Sequence, residues 1–283
     1  MAEAKLRIGN VEILELTDAV IDFPIPLSQL WSEVTPEQWK PFQEKYPGAF
    51  GDAEHVRFHF GGFLVRSSGK TILIDTGTGA AGIPALGVGP GSMMQELSAL
   101  GVRPEEIDTV FLTHAHPDHV AWNLNSSGKP TFSKARYLLS QIDWDAFHTA
   151  EVQAIFPFPY VAETLTPLRE LGVLDLMSGE TRVTAEITAI STPGHTPGHM
   201  SLLVSSAGEK GVILGDALHS PGQITNPGWK FGFDMDPDTA VASRSALLDR
   251  IEAEGLVIAQ CHLPRPGFGR VVRLEGKRWF QPL

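Results

Sequence analysis

Hydrophobic and polar positions along the chain change over in short blocks. The runs "VEILELTD", "HFGGFLVRS", "KTILIDTG", "DTVFLT", "ARYLLS", "AEITAIST", "MSLLVSS", "KGVILGD" and "GLVIAQC" read as β-strands. Each shows period-two alternation or a brief continuous apolar stretch, and most close on Gly, Ser, Asp or Pro. Between them, apolar spacing predicts helices over Met93–Leu100 before Gly101, Gln141–Ala150, Tyr160–Leu171 before Gly172, and Pro237–Glu254 before Gly255. Hairpin-like strand pairs with interspersed helices predict an α/β chain whose sheets pack between helix layers.

Two stretches break the pattern. From Phe23 to Phe50, five prolines, two tryptophans and three phenylalanines occur with little periodicity. Such an aromatic arm is expected to pack on its own domain or on a partner subunit, the second case giving a homodimer, and the functional alternative is that it forms a wall of the substrate pocket. The glycine-rich "TGTGAAGIPALGVGPG" from Thr76 lacks the order and the lysine of a phosphate-binding loop, and reads as a flexible connection. No composition shift or linker divides the 283 residues, so residues 1–283 read as one domain with 23–50 as its N-terminal arm.

A net charge of −11 without clustered Lys or Arg argues against a nucleic-acid partner. The lone Cys261 rules out an internal disulfide framework and fits a reducing compartment. No apolar run is long enough to span a bilayer and no signal-like leader is visible, so the expectation is a cytoplasmic protein without a membrane partner.

The chemistry concentrates in "LTHAHPDHVAWN", where His114, His116, Asp118 and His119 fall within six positions although histidine fills only 10 of 283. In extended chain His114 and His116 point the same way, and the bend at Pro117 lets Asp118 and His119 face a second position nearby. Further metal-ligand side chains follow later strands: His195 in "AISTPGHTPGH", Asp216 in "GVILGDALHS" and His262 in "GLVIAQCHLP". Rigid strands that each end in such a residue can aim it into a shared cleft.

This set resembles the metallo-β-lactamase-fold hydrolases, matching their H-x-H-x-D-H motif and the later His, Asp and His. The resemblance implies an αββα sandwich of two mixed β-sheets flanked by helices, with the site at one edge between the sheets. It also implies that His114, His116 and His195 hold one divalent cation, that Asp118, His119 and His262 hold a second, and that Asp216 bridges them. The cations are expected to be zinc, with manganese, cobalt or iron as alternatives. Two such ions about 3.5–4 Å apart lower the pKa of a shared water toward neutrality, giving a metal-bridging hydroxide as nucleophile. Asp118 is the candidate proton carrier for the leaving group, and Asp75, at the end of "TILID", the candidate outer partner of a ligand. Thr113 and Thr192 read as local hydrogen-bonders.

Of the remaining histidines, His55, His59 and His148 are assigned to surface or core, and His199 either orients the His195 loop or simply packs. Trp122, His219 and Trp229 are the candidates for the wall of a substrate pocket. The expected substrate is a small, fairly apolar lactone, ester or phosphotriester, nearest in character to the lactonase and methyl parathion hydrolase-like members. The alternatives are a β-lactamase, a mononuclear iron persulfide dioxygenase of the same fold, or a metal-stabilised binding module.

Overall fold

Period-two alternation sorts the side chains of β2 (Val11–Asp22) onto two buried faces, Val11 and Ile13 to one and Leu14 and Leu16 to the other. The same sorting holds in β3 (Arg57–Ser67) and β4 (Lys70–Ile74), where Phe63, Val65, Ile72 and Ile74 face inward while Leu64 and Leu73 face out. The computed structural model describes residues 5–156 and 158–283. Among these, β1 (Lys5–Ile8) to β4 pair antiparallel, then β4, β5 (Thr109–Phe111), β6 (Arg136–Ser140) and β7 (Leu174–Met177) run parallel, completing a seven-stranded sheet.

The second seven-stranded sheet holds β8 (Thr181–Arg182), β9 (Ile187–Ser191), β10 (Met200–Ser206), β11 (Glu209–Ile213), β12 (Val257–Ala259), β13 (Phe268–Leu274) and β14 (Lys277–Pro282) in consecutive order. Only β11 and β12 pair parallel, joined through the helix Pro237–Glu254. That helix has Asp236 accepting from the Thr239 amide at its start, Pro237 in its first turn and left-handed Gly255 (φ 65°) at its end.

The inner faces of the two sheets share one core, with Ile13, Val65, Ile74 and Phe111 from the first and Ile187, Leu202, Ile213 and Ala259 from the second. Outside the first sheet, Leu14, Leu73, Val110 and Leu139 pack against the helices Met93–Ala99, Gln141–Phe147 and Tyr160–Thr164. Outside the second, Val212 and Ile258 pack against Leu247 and Ile251 of the long helix and against the aromatic arm. Helix, sheet, sheet, helix is the αββα sandwich expected from the family resemblance. No helix among the described residues is long and apolar enough to cross a membrane.

The helical pattern Tyr160–Leu171 is realised as two short helices, Tyr160–Thr164 and Thr166–Glu170, and Gln141–Ala150 ends as a helix at Phe147. The arm contains a helix, Pro36–Lys45, started by a Thr35–Gln38 capping box. Its aromatics lie inside this chain: Trp31 packs on Phe231 at 4.9 Å and Trp39 on Trp229 at 4.7 Å between ring centroids.

Candidate metal centre

β5 ends at Phe111, the chain bends at Thr113 and His114, and His116, in extended backbone, is the N-cap residue of the short helix that Pro117 opens, Pro117–Val120. Proline at the first helical position has its ring geometry already set for the turn. This abrupt change from extended to helical backbone turns Asp118 and His119 toward a different point from His114 and His116. From the second sheet, the β9–β10 turn delivers His195, the segment after β11 delivers Asp216, and the segment after β12 delivers His262. Two backbone details fix these turns. Gly194 (φ 126°) lies so close to the long helix that a Cβ there would meet the Ala240 amide nitrogen at 2.1 Å, and Gly215 (φ 54°) leaves room for the His199 ring.

The seven expected ligands lie in two groups, His114, His116 and His195 in one and Asp118, His119, Asp216 and His262 in the other, and a third, overlapping group joins His195 and Asp216 to His219. His116 Nδ1 lies 3.1 Å from His114 Nε2 and 2.9 Å from His195 Nε2. In the second group, His119 Nε2 lies 3.3 Å from Asp118 Oδ2 and 3.4 Å from Asp216 Oδ1, and His262 Nε2 lies 3.0 Å from Asp216 Oδ2. Asp216 Oδ2 is also 3.4 Å from His195 Nε2, so this carboxylate faces both groups.

The outer hydrogen bonds decide which nitrogens carry lone pairs. His119 Nδ1 donates to Asp75 Oδ2 at 2.8 Å, His195 Nδ1 to Asp234 Oδ1 at 3.0 Å, and His262 Nδ1 to the His59 carbonyl at 2.9 Å. The Thr113 hydroxyl donates to Asp75 Oδ2, so its oxygen accepts from His114 Nδ1 at 3.0 Å. A neutral imidazole has one donor and one acceptor nitrogen, so four outward protons leave four inward lone pairs. Lone pairs facing each other and two carboxylates repel unless a cation lies between them. Two buried atoms at the centre, His119 Nε2 and Asp216 Oδ1, have no hydrogen-bond partner. The residues therefore fit a pair of divalent cations.

Charge states agree with that arrangement. Burial and neighbouring imidazoles hold His114, His116 and His195 well below the usual histidine range, hence neutral and able to ligate. Burial opposes a charge on His119 and His262 too, but Asp216 and Asp118 outweigh it and push both upward. The field that draws a proton to those nitrogens draws a metal ion equally well. Asp216 stays ionised, held well below the carboxylate range by His262, His119 and His114 against the effect of burial.

Asp75, in left-handed backbone (φ 61°), accepts from the Thr113 amide and hydroxyl as well as from His119. Thr192 Oγ1 meets His199 Nδ1 at 2.9 Å, and His199 Nε2 accepts from the Asp216 amide at 2.8 Å, so His199 positions the Asp216 turn. His55 pairs with Asp52, and His148 packs on Trp144 with centroids 3.9 Å apart and the rings tilted by 31°. Cys261 is buried and outside both ligand groups.

A cavity of about 310 Å³ opens onto His116, Asp118, His195, Asp216 and His262. Phe23, Phe58, Phe231 and Phe233 line it along with Ile155, Phe156 and Phe158, and among the described residues no Lys or Arg lines it. His219 borders it, with Nε2 donating to Asp216 Oδ2 at 3.1 Å and its ring stacked on Phe231. Trp122 and Trp229 do not. Trp122 Nε1 donates to Asp18 at 3.1 Å, drawn there because Asp18, in the bulge between Thr17 and Ala19, also accepts from Thr78 and the Met93 amide and ties down the glycine-rich loop. Trp229 is taken up by Trp39 and Phe42 of the arm. The sequence reading missed two buried carboxylates: Asp234, behind His195, and Asp143, which accepts from the Ala115 and Gly198 amides and the Thr196 hydroxyl beside the ligand loops. Both sit in aromatic segments, "DWDAF" and "FGFDMDP", with no motif to distinguish them from surface acids.

Residues 62–262 match the family described as the Metallo-beta-lactamase superfamily. An N-acyl homoserine lactonase of a Bacillus species is 23% identical over 190 residues, covering 62% of this chain and 70% of that protein. Among solved structures, AidC, a dizinc quorum-quenching lactonase in complex with a product, superposes with TM-score 0.82 at 25% identity over 99% of this chain and 96% of that one. The hydrolase AbOPH of the beta lactamase superfamily superposes with TM-score 0.83 at 27% identity, covering 99% and 97%.

Proposed function

The chain belongs to the metallo-β-lactamase superfamily, and on that premise we propose that it is a dinuclear, zinc-dependent hydrolase of small, uncharged, largely apolar lactones, esters or phosphotriesters. The observation that carries this reading is the pairing of two donor groups with a phenylalanine-lined cavity that, among the described residues, has no Lys or Arg in its lining. When bound, two divalent cations supply Lewis acidity and an acidified water at the reacting centre.

The chain's own residues do the rest. Asp216 presents one oxygen toward His119 and the other toward His195 and His262, the disposition of a bridging carboxylate. Asp118 borders the cavity with 15% of its side chain exposed and is ionised, since His119 and His262 outweigh burial and hold its carboxyl below the usual range, so it can take the proton released by the attacking water and pass it to the departing alkoxide. Asp75, Asp234 and the His59 carbonyl fix the imidazoles, and the phenylalanine walls accept apolar substituents while thinning out competing water. The lactonase activity of AidC and of the Bacillus relative supports a lactone within this substrate class.

A β-lactam antibiotic carries a carboxylate that would meet no Lys or Arg among the described residues of this cavity, which favours neutral substrates over the β-lactamase alternative. Two donor groups likewise favour hydrolysis over mononuclear iron oxygenation. The test is metal analysis of the purified protein combined with turnover of N-acyl lactones, aryl esters, phosphotriesters and a chromogenic cephalosporin. Two zinc ions per chain with turnover of a neutral substrate is expected, and one iron per chain with oxygen uptake refutes the proposal.

A further inference from the structure

Behind His195 lies a buried ion pair that no ligand motif predicts. The Asp234 side chain is fully buried and its two oxygens have separate duties: Oδ1 accepts from His195 Nδ1 at 3.0 Å, while Oδ2 accepts from Arg244 Nη2 at 3.1 Å and the Phe231 amide at 3.4 Å. Arg244, on the inner side of the long helix and 1% exposed, makes three more hydrogen bonds, from Nε to the Ala217 carbonyl and from Nη1 to the carbonyls of Pro227 and Trp229. One guanidinium thus touches the residue after Asp216, the carboxylate behind His195, and the backbone leading into the Phe231 wall of the cavity.

We propose that Arg244 and Asp234 are a positioning pair that holds His195 with its Nε2 lone pair toward the first cation and sets the Asp216 turn and the Phe231 wall from the same anchor. The inference rests on the metal-dependent reading above. A burial role alone does not account for the geometry. Burying a charged pair is costly, and an apolar pair of similar size would pack the same space, but without an acceptor at Nδ1 nothing would force the inward lone pair on Nε2. The fork of arginine is also required, because the single ammonium of lysine cannot reach carbonyls and carboxylate spread around a planar group.

Asp234→Asn tests the pair with little change of shape. Arg244 and the Phe231 amide both donate to the Oδ2 position, so the asparagine oxygen takes that side and its NH2 faces His195 Nδ1. Two donors cannot face each other, and His195 must move its proton to Nε2, the nitrogen needed for the metal. The expected result is a 10–100-fold loss of affinity at one of the two ion sites, about the range known for outer partners of metal ligands. It should come with an altered visible spectrum of the cobalt(II) protein and a fall in kcat with KM unchanged. Arg244→Lys is expected to give the same spectral change. Should it fail to fold, Asp234→Asn alone decides. An Asp234→Asn protein that unfolds at lower temperature but binds both cobalt ions with parental affinity and spectrum overturns the proposal and leaves a purely structural ion pair. A parent protein that takes up neither zinc nor cobalt sinks the metal-dependent reading itself, and this inference with it.

Discussion

Asp75 offers the sharpest test of how the centre is built, because Asp75→Ala and Asp75→Asn should fail by different amounts for calculable reasons. The carboxylate is 2% exposed and receives three hydrogen bonds of 2.8 Å, from the Thr113 amide, the Thr113 hydroxyl and His119 Nδ1. Alanine removes all three acceptor contacts. The hydroxyl can rotate, but the amide and the imidazole N–H are fixed and stay buried, each at a cost of about 1–3 kcal/mol. Alanine must also adopt the left-handed backbone of this position, about 1–2 kcal/mol more. A loss of about 4 kcal/mol, after some relaxation, is the expected outcome. Asparagine tolerates that backbone, and its oxygen can serve the imidazole and the hydroxyl, leaving only the Thr113 amide facing an NH2, for a loss of about 2 kcal/mol. The assay is urea unfolding of chelator-treated protein near neutral pH, so that metal release does not enter. An Asp75→Ala protein within about 1 kcal/mol of the parent, or two variants destabilised equally, refutes this account.

Other outcomes follow from the same geometry. Asp216→Asn should lose metal and turnover while keeping its circular dichroism spectrum, and full activity in that variant would remove Asp216 from the bridge. Ile155 lines the cavity at 63% exposure, so Ile155→Asp should leave stability within about 0.5 kcal/mol. The same variant should raise KM for a long-chain N-acyl lactone about fivefold, from roughly 1 kcal/mol of lost apolar burial; an unchanged KM would place the chain of the substrate elsewhere. Glu252 is held down at about 2, from 4.5, by Arg273 and Arg278. Its ionised form therefore stabilises the fold above pH 4.5, and the contribution disappears as pH falls toward 2. The stability gap between the parent and Glu252→Gln should close over that window, and a gap that persists at pH 2 contradicts the assignment.

The candidate ligands were legible because each is a costly polar residue placed just after an apolar strand, and strand ends keep their place whatever the details of packing. The partners behind them were not. Asp234 lies 39 positions from the histidine it serves and Arg244 another 10 on, inside an ordinary helical pattern, so only the closed fold makes their proximity visible. Trp122 and Trp229 were expected at the pocket because they follow the motif or lie in an aromatic segment. Tryptophan goes where both its area and its N–H are served, and Asp18 and the arm offered better terms. The phenylalanines that line the cavity come from four segments far apart in the sequence, Phe23, Phe58 with Phe60, Phe156 with Phe158, and Phe231 with Phe233. Strands β1, β7, β8, β13 and β14 were missed for a related reason. They are short or strongly polar, as in "FGRVVRL" and "KRWFQP", and are held by pairing with a neighbour more than by their own pattern.

Each ligand group draws from both sheets: His114 and His116 from one and His195 from the other, Asp118 and His119 from one and Asp216 and His262 from the other. An ion seated in either group is thus a rivet through the seam of the sandwich, and the halves cannot part without first letting it go. On the proposed metal-dependent reading, metal supply would bear on mechanical integrity as well as turnover, and a starved molecule should open along this edge first.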